Sequence, residues 1–382
     1  MTAASGIGVY GGYNATDWSR KADSITSILG SPEGIFADGA TEITLQLLSV
    51  GGVNNGASAY GIRGINNSSF RLQRVTVTAG GGALGAAGAN GQAGLPGSAG
   101  EQGQRGACDS FVRAIGGAGG ASPVSRDGGK GGNAYYEIDG QDGAMGLVGT
   151  PGGKGGDGGQ PASSGHPGQD GAEGAPGARG FGGDNSTALA SATWLGRQGI
   201  EGIYGAPGNG GGGGGGGGGQ DGFFVTNGSG NGGGGGGGGA AGGRGGEGGV
   251  AGGGSFGIYL YNSAIVAEAS SIAAGDGGAG GRGGNGGPGG IGGAGGPWQL
   301  YCGSEIGHGG GGGRGGNGGQ GGGGGGGAGG PSIGVMKVGS SSAILTATAV
   351  VVGAAGPGGA LGIGGSGTPA PSQAGIVQAS YP

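Results

Sequence analysis

Short apolar stretches with polar turns recur at widely spaced places along the chain. Three of them align, at residues 59–80, 255–275 and 332–353, and a looser copy covers residues 34–51. Each contains Gly-Ile or Gly-Val, a short strand, an Asn/Gly-Ser turn and a second strand. The spacings from Gly61 to Gly80, Gly257 to Gly275 and Gly334 to Gly353 are 19, 18 and 19 residues. Units of this size predict the coils of a parallel β-helix.

Alternation within these stretches supports strands with one buried face. Phe70 and Leu72 alternate with polar residues, as do Val75 and Val77, which is the period-two pattern of a half-buried strand. The match between units is imperfect, because Lys337 falls where the second unit has Leu260.

A second repeat, of glycine with a period of three, fills the intervals between the apolar units. It has three grades: glycine at every third place, as in residues 85–106 and 165–180; glycine at two places of three; and pure runs at residues 210–219, 232–239 and 321–327. An extended left-handed helix with three residues per turn makes none of its own backbone hydrogen bonds. Its amides must therefore pair with neighbours, which approach closely only across a glycine face.

The three grades predict three positions in a bundle of polyglycine-II helices. One glycine face suits the rim, two suit an outer layer, and three suit a helix surrounded on all sides. The competing interpretation is that the glycine segments are flexible linkers.

The predicted fold class is therefore all-β with irregular repeats: parallel β-helix coils with long polyglycine-II insertions. The predicted divisions are coils at 1–80, 255–275 and 332–353, insertions at 81–254 and 276–331, and a short Gly/Pro segment with a C-terminal strand at 354–382.

Composition narrows the classes of function. Of 382 residues 131 are Gly but only 15 are Pro, which excludes a collagen helix. The net charge of -5 offers no basic face for nucleic acid. The sequence has no apolar run long enough to span a membrane and no signal-peptide pattern at its start.

Two cysteines, Cys108 and Cys302, each lie in a polar break of the glycine-rich part. They are either two unrelated free thiols or a disulfide. A disulfide would close a very long loop, contribute about 5 kcal/mol in the chain-entropy model, and indicate an oxidising, extracytoplasmic setting.

Catalytic and cofactor chemistry is not predicted. Matches to GxGxxG are expected by chance in a chain so rich in glycine, and no P-loop is formed. His166 and His308 are far apart, and the cysteines lack metal-ligand spacing, so no metal or cofactor is expected. The aligned strand units contain Glu268, and the looser copy Glu42, too few carboxylates for a polysaccharide-cleaving site.

Aromatic residues in the glycine-rich part have two interpretations. They either plug the ends of the bundle or contact a partner such as a glycan or a protein. The candidates are Tyr135, Tyr136, Trp194, Phe223, Phe224 and Trp298.

The GGX arrays resemble polyglycine-II bundles of phage tail-fibre tip adhesins and of the snow flea antifreeze protein. Combined with units such as Ser255 to Ser263, they look like glycine-rich surface proteins of myxobacteria, and superficially like the mycobacterial glycine-rich surface family. The opening GVYGGYNATDWSR is similar to the first strand of bacterial surface β-helix proteins. This resemblance implies an exported surface or filament protein and supplies no catalytic residues.

The expected function is mechanical. Open β-helix ends template further strands, so we expect an extracellular or cell-surface fibre assembled head to tail from copies of this chain. The alternative is an adhesin whose end loops bind a glycan or protein receptor. A third possibility is ice binding, for which Thr76-Thr78 and Thr346-Thr348 are the candidate Thr pairs.

Overall fold

The computed structural model describes residues 1–136, 138–158, 162–185, 191–220, 228–302 and 305–381. Within these ranges every regular element is a β-strand. The strands are β1 (Gly8–Tyr10), β2 (Ser27–Gly30), β3 (Glu33–Asp38), β4 (Ile43–Gln46), β5 (Ser49–Gly52), β6 (Ala59–Ile65), β7 (Ser69–Gln73), β8 (Thr76–Ala79), β9 (Ser255–Tyr261), β10 (Ala264–Glu268), β11 (Ser271–Ala274), β12 (Ser332–Val338), β13 (Ser342–Thr346), β14 (Ala349–Val351) and β15 (Val377–Tyr381).

The strands form three parallel sheets of five strands each. The orders are β1-β4-β7-β10-β13 for the first sheet, β2-β5-β8-β11-β14 for the second and β3-β6-β9-β12-β15 for the third. Each group of three consecutive strands therefore makes one coil, and each coil pairs with the next. This is the strand order expected of a parallel β-helix, which we call the solenoid.

Columns of apolar side chains fill the inside of the solenoid. Ile35, Ile62, Ile258 and Val335 stand in one column, because each pairs in register with the next. All four are completely buried. Lys337 pairs with Leu260, so the sequence mismatch falls in register with a buried core leucine and near the C-terminal end of the solenoid.

The corners of the solenoid are held by hydroxyl groups and left-handed residues. Between the third and first sheets, Ser68 N–H donates to Ser263 Oγ and Ser263 N–H donates to Ser341 Oγ, each at 3.1 Å. Between the first and second sheets, Ala269 has φ 49° and the equivalent Ala347 has φ 47°. Alanine carries a steric cost in this region that glycine lacks.

Replacing Ala269 by Gly is expected to stabilise the protein. The left-handed conformation costs alanine about 1–2 kcal/mol, and the greater freedom of glycine in the unfolded chain returns about half of that. We expect a gain of about 0.5 kcal/mol or more in the free energy of unfolding measured in urea. Ala267→Gly, two residues away at a buried strand position, should instead destabilise; equal effects would contradict the corner argument.

All three glycine-rich insertions leave the solenoid at the same corner. They connect β8 to β9, β11 to β12 and β14 to β15, which is always the second sheet to the third. We call them together the glycine array. Their described residues contain no helix and no strand longer than an isolated bridge. They therefore emerge side by side from three successive coils.

The array keeps the register of the coils from which it emerges. Asn285 N–H donates to Asn90 Oδ1, 195 residues apart, and Ile363 N–H donates to Asn285 Oδ1, 78 residues apart. The same separations of 195 and 78 residues join Ser68, Ser263 and Ser341 in the solenoid. In both parts a backbone N–H donates to a side-chain oxygen of the adjacent coil or segment at the same spacing, so the array extends the stacking of the coils sideways.

A loop of the array covers the outer face of the third sheet. Trp194 is 5% exposed and packs with Tyr60, Phe256 and Tyr259. The rings of Tyr60 and Phe256 are stacked at 5.3 Å, and Tyr259 Oη donates to Ser191 O at 2.6 Å. This cluster joins the array to the solenoid and explains why β9 is almost wholly buried on both faces.

Candidate functional site

The pure glycine run at residues 210–219 is bonded on all sides. Three consecutive residues, Gly211 to Gly213, reach six separate segments through backbone hydrogen bonds. Their N–H groups donate to Gly237, Gln169 and Ala144, and their carbonyls accept from Gly129, Gly313 and Gly153, all at 2.8–2.9 Å. Every residue from 210 to 219 is buried, although the run has no side chains.

The other two pure runs have the same surroundings. Gly235 to Gly237 also bond to six segments, with donations to Glu101, Gly129 and Gly313 and acceptances from Gly296, Gly120 and Gly211. Residues 321–324 bond to five, around Gly287, Ile203, residues 362–364, Gly246 and Gly180. Both runs are buried throughout.

Within a segment, the GGX pattern changes to pure glycine at the point where another segment of the array begins to pack against it. Arg314, Asn317 and Gln320 are exposed, and the run at 321–327 begins directly after them. Segment 354–364 covers this later part, because Gly362 N–H donates to Gly324 O and Gly359 N–H donates to Gly327 O. A side chain therefore stands where the neighbouring position is open, and glycine where it is filled.

Asn and Asp side chains satisfy N–H groups at the edges of the array. Asp170 Oδ1 accepts from Arg314 N–H at 2.6 Å, Asp276 Oδ1 accepts from Ala354 N–H at 2.7 Å, and Asp142 Oδ1 accepts from Gly155 N–H at 2.8 Å. Backbone amides need a partner when a neighbouring segment is missing. This capping role was not predicted from the sequence, although Asn and Asp at the third position of the glycine triplets are an indication of it.

No coil among the described residues covers the C-terminal end of the solenoid. The last coil, β13 to β15, leaves inward residues Leu345 and Val350 half-buried, whereas Leu72 and Val77 at the same positions of the third coil are fully buried. The hydroxyl ladder also ends here, because no coil among the described residues offers an acceptor to Ser341 N–H. This end therefore presents backbone edges and apolar side chains without cover.

The N-terminal end is open in a corresponding way. Val9 in β1 and Ile28 in β2 are half-buried against the core. Residues at the start of the chain continue the third sheet, since Ala3 N–H donates to Phe36 O and Phe36 N–H donates to Met1 O. Among the described residues, the first and second sheets thus have an unpaired edge at both ends, while residues 1–3 occupy the N-terminal edge of β3.

The two cysteines are joined in a disulfide at the far end of the array, away from the solenoid. Cys108 and Cys302 have Cα atoms 5.7 Å apart and are 194 residues apart in sequence. They connect the turn after residues 82–106 to the turn after residues 276–296, two neighbouring segments. The disulfide therefore joins the first insertion covalently to the second.

The aromatic candidates from the sequence fall in different places. Tyr135 and Tyr136 lie near the disulfide end, where Arg113 stands over the Tyr135 ring at 4.9 Å and Phe111 meets Tyr136 edge-on at 4.8 Å. Trp298 is 55% exposed and stacks on His308 at 5.8 Å. Trp194 is separate from these, in the buried cluster on the third sheet. Phe223 and Phe224 lie outside the described residues.

Two buried tyrosines in that cluster have shifted acidity. Burial raises the pKa of Tyr60 and of Tyr259 above the ordinary value of 10.0, because the phenolate loses its water. Both side chains are buried in that cluster, so we assign them to packing.

This shift predicts a loss of stability at alkaline pH. Below about pH 10 both tyrosines are neutral whether the chain is folded or not, so the stabilisation is complete. Above that pH the unfolded chain ionises first, and each tyrosine removes about 1.4 kcal/mol per pH unit until its folded-state pKa is reached. Unfolding in urea across about pH 9–11 should show this slope, and Tyr259→Phe should reduce it; an unchanged slope would contradict the assignment.

No group of three or more His, Cys, Asp or Glu residues that could hold a metal ion occurs among the residues described. Over the same part of the chain, no helix is long and apolar enough to cross a membrane.

Comparison with known proteins gives no relative. No protein-family profile, no curated protein sequence and no solved structure matches the chain.

Proposed function

We propose that the protein is an extracellular structural protein, a rigid subunit that stacks head to tail into a surface fibre. The observation that carries the proposal is the pair of solenoid ends, at each of which the first and second sheets have an unpaired edge among the described residues. Parallel strands with free edges pair readily with further strands. The proposal assigns a mechanical role and no catalysis.

Rigidity in this proposal comes from polyglycine-II helices in the array. Support comes from hydrogen bonds that repeat every third residue and from pure runs with five or six neighbours. Almost all array glycines also avoid positive φ; Gly149, Gly364, Gly365 and Gly367 are the exceptions among those described. A left-handed threefold helix has negative φ, so glycine and non-glycine residues can share one geometry.

Stacking would place the last coil of one copy on the first coil of the next. β13 would pair with β1 and β14 with β2, each extending an existing parallel sheet. In the third sheet, β15 would take the edge of β3 that residues 1–3 now occupy, so those residues would have to be displaced. Leu345 and Val350 would then be buried against Val9 and Ile28. With strands about 4.8 Å apart, five coils give a subunit repeat of roughly 24 Å.

The last coil carries its own segments of the glycine array. Residues 354–364 and 366–376 connect β14 to β15 in that coil. Successive segments are joined by bonds such as Gly82 N–H to Asp276 O and Gly277 N–H to Ala354 O, each at 2.8 Å.

Two adjacent valines provide the test. Val350 is inward-facing and half-buried at the open end, whereas Val351 faces outward and is 60% exposed. Val350→Glu should prevent stacking, because it places a charge in the joint, while Val351→Glu should leave it intact. Electron microscopy and sedimentation measure the outcome. Wild-type protein that stays monomeric at high concentration, or equal behaviour of the two variants, would overturn the proposal.

The disulfide supports export. It connects residues 194 positions apart, and such bonds persist in oxidising compartments. The proposed location is therefore the cell surface or the extracellular space, where a stapled rigid subunit would resist unfolding.

A further inference from the structure

A groove runs along the side of the glycine array near its disulfide end. One wall is the Trp298 ring, 55% exposed and stacked on His308. The opposite wall is Pro167, and the floor is the backbone of residues 309–311. At Gly311 an added Cβ would meet nothing closer than 3.6 Å. Gly311 is therefore a glycine that packing does not require, and its absence of side chain keeps the groove open.

The groove interrupts a regular ladder of side-chain caps. His308 N–H donates to Ser164 Oγ and Arg314 N–H donates to Asp170 Oδ1, and in both pairs the residues are 144 positions apart. The next pair, Asn317 Nδ2 to Glu173 Oε1, keeps this separation. The residue 144 positions before Gly311 is Pro167, and its side chain has no hydrogen-bond acceptor. Gly311 N–H is thus not capped by residue 167 and makes no hydrogen bond among the described residues; the N–H of Asn317 likewise makes none.

The same side of this segment is covered farther along. Segment 354–364 lies against residues 324–330 through donations from Gly356, Gly359 and Gly362. That segment ends before it reaches residues 309–311. The groove is therefore an open position of the array, one extended chain wide, that continues an interface already filled by the protein's own backbone.

We propose that this groove binds a proline-rich segment of another protein in the polyproline II conformation. Such a segment has the threefold extended geometry of the neighbouring chains and offers carbonyl acceptors without backbone N–H donors. One carbonyl accepts from Gly311 N–H, while pyrrolidine rings pack on Trp298 and Pro167. Aromatic-lined grooves recognise proline-rich chains in this way. The inference does not depend on fibre formation.

The test uses an oligoproline peptide of about ten residues and the full chain with its disulfide intact. We expect saturable binding by calorimetry, together with a shift of the Gly311 amide resonance. Gly311→Val fills the groove, and Pro167→Asn supplies the missing acceptor at position 167. Each should weaken binding at least about tenfold, as should Trp298→Ala. Trp18→Ala, which removes a 74% exposed indole in a solenoid loop, is the matched control and should bind like wild type.

Three results would overturn the proposal. One is no saturable binding of the oligoproline peptide to folded wild-type protein. The second is binding that Gly311→Val and Pro167→Asn leave unchanged. The third is Trp298-dependent binding of a neutral oligosaccharide such as cellohexaose with none of the peptide, which would assign the groove to a glycan. Since Gly311→Val meets open space, the unfolding midpoint of each variant can be compared with wild type to exclude misfolding.

Discussion

Gly215→Ala is expected to destabilise the protein by about 3–5 kcal/mol, a core-like penalty at a residue that has no side chain. A Cβ at this position would overlap the carbonyl group of Lys154 and the N–H of Gly155, which are backbone atoms of a neighbouring segment. The segments would have to separate, and Gly215 N–H would lose its bond of 2.9 Å to His166 O. Chemical denaturation followed by circular dichroism measures the change.

Gly311→Ala is the matched control for this prediction. It also lies in a glycine-rich segment, but the added methyl group has room there. Alanine has less conformational freedom than glycine in the unfolded chain. We therefore expect Gly311→Ala to be neutral or to stabilise the protein by up to about 0.5 kcal/mol. If both variants lost the same stability, the close approach of backbones would not be what holds the array together.

The solenoid coils could be predicted from the sequence because each coil is encoded by a local pattern of residues. Three aligned units of apolar strands and Asn/Ser turns contain β6 to β8, β9 to β11 and β12 to β14, and the alternation around Phe70 and Leu72 matches their buried positions. The first coil was harder to recognise, since β1 and β2 lie among exposed residues such as Ile25 and Leu29. The grades of glycine content predict a bundle of polyglycine-II helices, because the number of glycine faces limits the number of close neighbours; this part stays a prediction.

Features that depend on which segments meet could not be read from the chain. The shared corner of the three insertions requires knowing that β8, β11 and β14 stack. The caps formed by Asp170 and Asp276 require the pairing of segments 144 or 78 residues apart. Trp194 lies in a loop of the glycine-rich part like Trp298, yet its position against the third sheet follows from the path of one loop. These features depend on how segments that are far apart in the sequence align with one another in the fold.

The disulfide supplies the second large prediction. Replacing Cys108 and Cys302 together by Ser should lower the free energy of unfolding by about 5 kcal/mol, because the bond closes a loop of 194 residues whose entropy in the unfolded chain rises when it is released. The glycine-rich composition adds to this effect, since glycine gains the most backbone freedom on unfolding. Urea denaturation of the oxidised wild type and of the double variant measures the difference.

The location of the lost stability is as informative as its size. The disulfide lies at the end of the array farthest from the solenoid, so amide protons at Gly106 and Gly232 should exchange faster in the double variant, while those of β7 and β10 should change only with global unfolding. A reducing agent should bring wild type to the same level and leave the double variant unaffected. If reduction left both stability and exchange unchanged, the glycine segments would hold their far end by backbone hydrogen bonds alone, and the covalent tie would be mechanically redundant.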